Sequence, residues 1–157
     1  MWAKIITVKI NFIKGGLKNI HGNLICDSWQ IRLNKAYKEI QRIANQLSLR
    51  PFHIEEAKRL YETASFKLKF IQGRKTKHVV AVLLYIVCRL EKTPHLLIDF
   101  SDVLQTNLYI LGSIYLKLIK LLNLKIPLID PSLYIHRFCN RLDFKEKTQQ
   151  VVNTSLK

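Results

Sequence analysis

Residues 79–88 read VVAVLLYIVC, ten positions whose apolar character is broken only by the Tyr85 hydroxyl. A helix with no polar face is stable in water only when other helices enclose it. Ten residues are too few to cross a membrane, so the run predicts the central helix of a helical bundle. Directly before it stand Gly73, Arg74, Lys75 and Lys77, a basic turn fixed to the entrance of the buried helix. Taken alone, a short basic run is most simply a solvated helix entrance. Its position argues for more, because the helix dipole favours anions at an N-terminus and repels cations there. Exposed backbone amides beside basic side chains make a good phosphate site.

The flanking sequence supplies the enclosing helices. From Asp27 the apolar residues Trp29, Leu33, Ala36, Ile40, Ile43 and Leu47 step by four and three, and Asp27 with Gln30 forms a candidate capping box. Arg50-Pro51 ends that helix and opens the next, since proline cannot continue a helix but fits its first turn. Ile54, Ala57, Tyr61, Ala64 and Leu68 repeat the stepping, with Gly73 as the stop. The third helix spans about 75–91. Lys92-Thr93-Pro94 breaks it, and a short helix follows over 98–104, starting near Asp99. Gln105-Thr106-Asn107 turns into a fifth, on which Leu108, Leu111, Tyr115, Leu118 and Leu122 step by three and four. Ile126-Pro127 is a linker. Asp130-Pro131 is a helix start with Ile135, Phe138 and Leu142 as its face, and 145–156 begins one more helix.

Residues 1–26 differ. Ile6, Val8, Ile10 and Phe12 alternate with Thr7, Lys9 and Asn11 before Gly15-Gly16, a weak strand period. They are expected to form a short strand or to be disordered. The organisation is thus an extension over 1–26, a five-helix unit over 27–124, and the start of a second unit over 125–157.

Composition narrows the partners. The net charge is +15, from 26 Lys and Arg against 11 Asp and Glu, and a field of that sign favours nucleic acid, an anionic membrane surface or an acidic protein. Cys26, Cys88 and Cys139 are odd in number and far apart, which indicates neither a disulfide framework nor a zinc ribbon and suits a reducing compartment. The run 108–124 contains Lys117 and Lys120 and is not a membrane span, and Lys9 and Lys14 spoil a signal peptide.

Catalysis finds no support. His21, His53, His78, His95 and His136 show no paired ligand spacing, and no glycine loop for nucleotide exists. His78 reads as structural or solvated. Glu55-Glu56 suit the dipole of a helix's first turn, and Cys88 is a small core residue. Lys117 and Lys120 share a solvated face by spacing alone, and Tyr109 is either an exposed anchor or a core aromatic, with the core expected.

Five helices with a buried third, followed by the opening of a similar unit, look like a cyclin-like repeat. The stretch GRKTKHVVAVLLYIVCRLEKTPHLLIDFSDVLQTNLYILGSIYLKLIK resembles the first repeat of the transcription factor IIB family, in particular the B-related factor subunits of the RNA polymerase III initiation factor IIIB. The G-R start, LYIVCR, EKTPHLLIDFSDVLQ and YILG carry the likeness, and IDPSLYIHRFCNRLDF resembles the opening of the second repeat. The likeness begins near Arg32, and residues 1–26 do not share it.

The resemblance implies an all-α adaptor without catalysis, acting in the nucleus between TATA-binding protein and promoter DNA. The family's glycine-arginine pair at the third helix contacts DNA, and here it is Gly73-Arg74. Lys75 and Lys77 are phosphate neighbours by placement. The turn before the fifth helix and that helix's exposed face lie toward TATA-binding protein in the family, which points to Gln105, Thr106, Asn107 and Lys120, with Lys117 beside them.

The family's zinc-ribbon cysteines are absent, so no metal cofactor is expected, and contact with the RNA polymerase III machinery is in doubt. The second repeat is expected to be incomplete, leaving Phe138, Leu142 and Val151 poorly covered. A truncated product, an incomplete gene model and a competitor of the full-length factor all fit that pattern. Two other classes remain open: a cyclin-like protein-interaction module without DNA binding, and a basic protein on an anionic membrane. The second needs an exposed amphipathic basic helix, whereas these helices spend their apolar faces on one another.

Overall fold

A computed structural model describes residues 22–66, 73–142 and 148–155. Among them are seven helices and no strand: α1 (Gly22–Gln46), α2 (Pro51–Phe66), α3 (Thr76–Leu90), α4 (Leu97–Leu104), α5 (Leu108–Leu122), α6 (Ser132–Arg141) and α7 (Thr148–Ser155). The alternation at 6–12 lies outside the described residues, as does Leu68, the last position of the stepping expected for the second helix.

The chain divides into two compact units, residues 1–34 and 35–157. Of the first, 22–34 are described, as the opening of α1. That opening corrects the expected helix start. Asp27 is the sixth residue of α1 rather than its cap, because the four-residue spacing Ile25, Trp29, Leu33 continues the apolar stepping backwards past it.

In the second unit α3 holds the centre. Every residue from His78 to Cys88 is buried, Tyr85 included at 7% exposure, so all sides of the helix are covered. Helices α2, α4 and α5 pack against it, α5 also meets α2 and α4, and α6 meets α7. Each fully buried Val, Leu or Ile on α3 contributes roughly 1.5–3 kcal/mol relative to exposure. Tyr85 turns its ring edge to Phe100 of α4 at 5.9 Å and tilts against Tyr115 of α5 at 5.3 Å. Cys88 lies within this core, where burial pushes its thiol up to about 11, and the Thr93 hydroxyl and N–H both donate to its carbonyl.

The outer helices have defined faces. Ala36, Ile40, Ile43 and Ala44 of α1 and Ala57, Leu60, Tyr61 and Ala64 of α2 are buried. The Tyr37 hydroxyl donates to Glu62, tying α1 to α2. Pro51 is the first residue of α2, as its ring requires. Glu55 and Glu56 therefore fall in the second turn. Glu56 pairs with Arg59 at 2.7 Å, so a local ion pair replaces the expected role at the dipole.

After α5 the chain is held by long-range polar contacts. Arg89 Nη2 donates to the Pro127 carbonyl at 2.6 Å. Asp130 Oδ1 accepts from the Ser132 N–H at 2.9 Å, and Pro131 already has helical dihedrals, so Asp-Pro opens α6 as expected. The face of α6 differs from the expected one. Tyr134 and Cys139 are buried, whereas Phe138 and Leu142 are 44% and 65% exposed and Ile135 is half-buried. The helix is oriented by Arg137, which donates to both Asp99 oxygens and to the Pro94 carbonyl, and this turns Tyr134 inward. Phe138, Leu142 and Val151, expected to be poorly covered, are 44%, 65% and 38% exposed.

Candidate nucleic-acid and partner interface

The basic turn owes its shape to Gly73. Its φ of +80° lies in the left-handed region, with nothing within 4 Å of where a Cβ would stand. Backbone conformation rather than space therefore favours glycine. Lys75 is the N-cap of α3 in an extended conformation, and its carbonyl accepts from the His78 N–H at 3.0 Å. No side chain caps α3 and no acid stands in its first turn. Lys75 is exposed, and Arg74 and Lys77 are half-buried. The helix's positive end and its basic side chains thus share one place, an arrangement that an arriving anion relieves.

His78 connects this turn to another. It is the third residue of α3 and is buried at 8% exposure. Its Nε2 lies 3.3 Å from Thr106 Oγ1. Burial first, then Lys77 and Lys75, hold the imidazole below its ordinary pKa, so it is neutral near pH 7. We assign His78 the tautomer protonated on Nε2, which lets it donate to Thr106 Oγ1 while the Thr106 hydroxyl donates to the Leu104 carbonyl at 3.1 Å.

The 105–107 turn has structural work of its own. Gln105 caps α4 in the left-handed conformation, and its amide donates to the Asp102 carbonyl at 2.7 Å. Thr106 is tied to α4 by its N–H to the Ser101 carbonyl and by the Ser101 hydroxyl to its own carbonyl, at 3.1 and 2.5 Å. Asn107 caps α5, its Oδ1 accepting from the Tyr109 N–H at 2.8 Å. Gln105 and Asn107 are exposed and Thr106 is half-buried.

On α5 the structure corrects one expectation. Tyr109 is 84% exposed, not in the core. The inner face is filled by Leu111, Ile114 and Leu118, and Tyr109 stands two positions from Leu111, about 200° around the helix. At 3.6 residues per turn Tyr109, Leu116 and Lys120 share the outer face, with Leu116 61% exposed. Lys117 is exposed to one side of that face, near the phase of Ile110. The bond between His78 and Thr106 thus joins the 73–77 and 105–107 groups, and Lys117 and Lys120 lie further along α5. The sequence leaves Tyr109 between anchor and core and does not single out Leu116, although their phase relative to Leu111 and Leu118 sets both on the outer face.

The Transcription factor TFIIB repeat model matches residues 30–121, from within α1 to the last turn of α5. This chain belongs to the TFIIB repeat family. The five-helix, cyclin-like reading therefore holds for the matched part. Among relatives, the Transcription factor IIIB 60 kDa subunit of Schizosaccharomyces pombe is 45% identical over 131 residues, 83% of this chain and 26% of the relative. The human Transcription factor IIIB 90 kDa subunit is 41% identical over 137 residues, 87% of this chain and 20% of its own length. The 70 kDa subunit of Saccharomyces cerevisiae is 36% identical over 158 residues, 99% of this chain and 26% of the relative, so the alignment reaches into residues 1–26. The chain spans about a quarter or less of these relatives.

Within the TFIIB repeat seen here, the described residues hold no cluster of three or more His, Cys, Asp or Glu able to bind a metal, and no described helix is long and apolar enough to cross a membrane.

Proposed function

We propose that this chain is a non-catalytic adaptor of transcription initiation by RNA polymerase III, acting in the nucleus. In this reading Gly73, Arg74, Lys75 and Lys77 meet promoter DNA. Gln105, Thr106, Asn107, Lys120 and Lys117 face TATA-binding protein, and Tyr109 and Leu116 join them. The observation that carries the reading is the joining of two exposed turns by the bond between His78 and Thr106, one turn basic and the other leading into an apolar and basic helix face. The family membership and the names of the IIIB subunits at 36–45% identity support it. Phosphate contacts position such a protein without specifying sequence, which suits a factor whose promoter is chosen by its partner.

A gel shift on a TATA-containing duplex, with and without TATA-binding protein and over a salt series, tests the proposal. A slower band that requires TATA-binding protein is expected. Its affinity should fall steeply with salt, and Lys77→Ala should reduce the salt slope by about one. The exposed Tyr109 and Leu116 also suit a second reading, a cyclin-like module that binds protein alone. Association with TATA-binding protein that is indifferent to DNA and salt would select that reading.

A further inference from the structure

We propose that His78 is a positioning residue that fastens the basic turn to the 105–107 turn, so that contacts made through one turn strengthen contacts made through the other. The inference rests on the adaptor reading above and assigns a role to a side chain buried at 8% exposure.

The geometry confines each end of the link. On one side, the His78 backbone N–H donates to the Lys75 carbonyl at 3.0 Å, so the His78 main chain is fixed to the residue that caps α3 inside the basic turn. On the other, Thr106 is bound to α4 through Ser101 and Leu104, and its hydroxyl hydrogen is already committed. The imidazole Nε2–H meets the remaining acceptor capacity of Oγ1. Asn107, the next residue, caps α5 and so sets the start of the helix that carries Tyr109 and Leu116. A shift of the basic turn toward phosphate must therefore move His78, break its bond to Thr106, or carry the second turn with it. Close packing around α3 opposes the first of these. Phenylalanine would fill a similar volume without offering a donor. Glutamine keeps an N–H donor on a flexible stem.

The test is a thermodynamic cycle on affinity for the preformed complex of TATA-binding protein with a TATA duplex, using the whole chain. Arg74→Ala, Gln105→Ala and the double variant are measured in the wild-type background and again with His78→Phe. In the wild type the two changes should depart from additivity by about fivefold, the scale of one neutral hydrogen bond. With His78→Phe the departure should collapse to within about twofold, and His78→Gln should restore it. A purely structural role would lower the melting temperature yet leave the departure unchanged, and that result overturns the proposal. Strict additivity in the wild type overturns it too. If His78→Phe does not fold, judged by circular dichroism, Thr106→Val deletes the acceptor of the same bond and must give the same collapse. Failure of the wild type to bind the preformed complex is a different outcome, which removes the adaptor reading and this inference with it.

Discussion

Helices α3 and α5 are both rich in apolar residues, yet the structure uses them differently. In α3 the apolar positions run around the whole circumference and are covered from His78 to Cys88. In α5 one face, Leu111, Ile114 and Leu118, is enough to fill the core, and Leu108, Tyr109, Ile110 and Leu116 remain between 38% and 84% exposed. Core packing explains the first helix entirely. It leaves the outer side of the second unexplained, and exposed apolar residues grouped on one helix are a common mark of a partner surface. The basic turn at the head of α3 adds a contrast within one helix, a rigid buried rod ending in an exposed, glycine-shaped cationic tip.

Truncation separates the two helices most strongly. Leu83→Ala in α3 should cost roughly 2–5 kcal/mol by urea denaturation, because it leaves a cavity in a closely packed centre. Leu116→Ala in α5 should change stability by no more than about 0.5 kcal/mol and lower affinity for the complex of TATA-binding protein with DNA. A large stability loss at Leu116 would erase the contrast.

The next largest effect concerns the link that holds α6. Arg137→Leu should cost about 3 kcal/mol at pH 7, because it strands the Asp99 carboxylate at 12% exposure. The pH dependence has a definite sign. Burial alone would raise the Asp99 carboxyl, but the Arg137 guanidinium and the Leu96 N–H outweigh it and hold it below the ordinary carboxylate value. A group lowered on folding stabilises above its unfolded pKa, and that stability is lost as pH falls through the folded value. Acid titration of the wild type should therefore show a loss below about pH 4. In Arg137→Leu, where burial is left with less opposition, this part of the acid loss should be much reduced.

Two glycines give smaller effects of opposite sign. Gly73→Ala should cost about 1 kcal/mol, since its φ of +80° disfavours any Cβ. Gly112→Ala, inside α5 and with nothing within 4 Å of a new Cβ, should stabilise the free chain by up to about 1 kcal/mol in thermal melts. Both changes leave the charge untouched, so the salt slope of DNA binding should not move with either.

What the sequence could show depended on the range of the interaction. The enclosure of α3 was legible because ten consecutive apolar residues admit no exposed face. The break at Pro51 and the Asp130-Pro131 start were legible because proline acts on its own backbone. Asp27 misled because a capping signal inside a continuing apolar phase is overruled by the helix around it. The inner face of α5 was legible in outline, and Tyr109 lies opposite it because two positions from Leu111 turn the helix by about 200°. The face of α6 was not legible locally. It is set by Arg137 meeting Asp99, 38 residues away, and no helical period reports that pairing. The same holds for the meeting of His78 and Thr106 across 28 residues. Family likeness pointed to both turns as site elements, but the bond that joins them was visible only in the fold.

Site-specific photocross-linking within one ternary complex separates the DNA-facing turn from the protein-facing helix. A photoreactive phenylalanine is placed at Tyr109 in one sample and a photoreactive lysine analogue at Lys77 in another, each mixed with TATA-binding protein and a labelled TATA duplex. A protein adduct to TATA-binding protein is expected from position 109 and a DNA adduct from position 77. Adducts with the two targets exchanged, or a complex that forms with no adduct from either position, would contradict it.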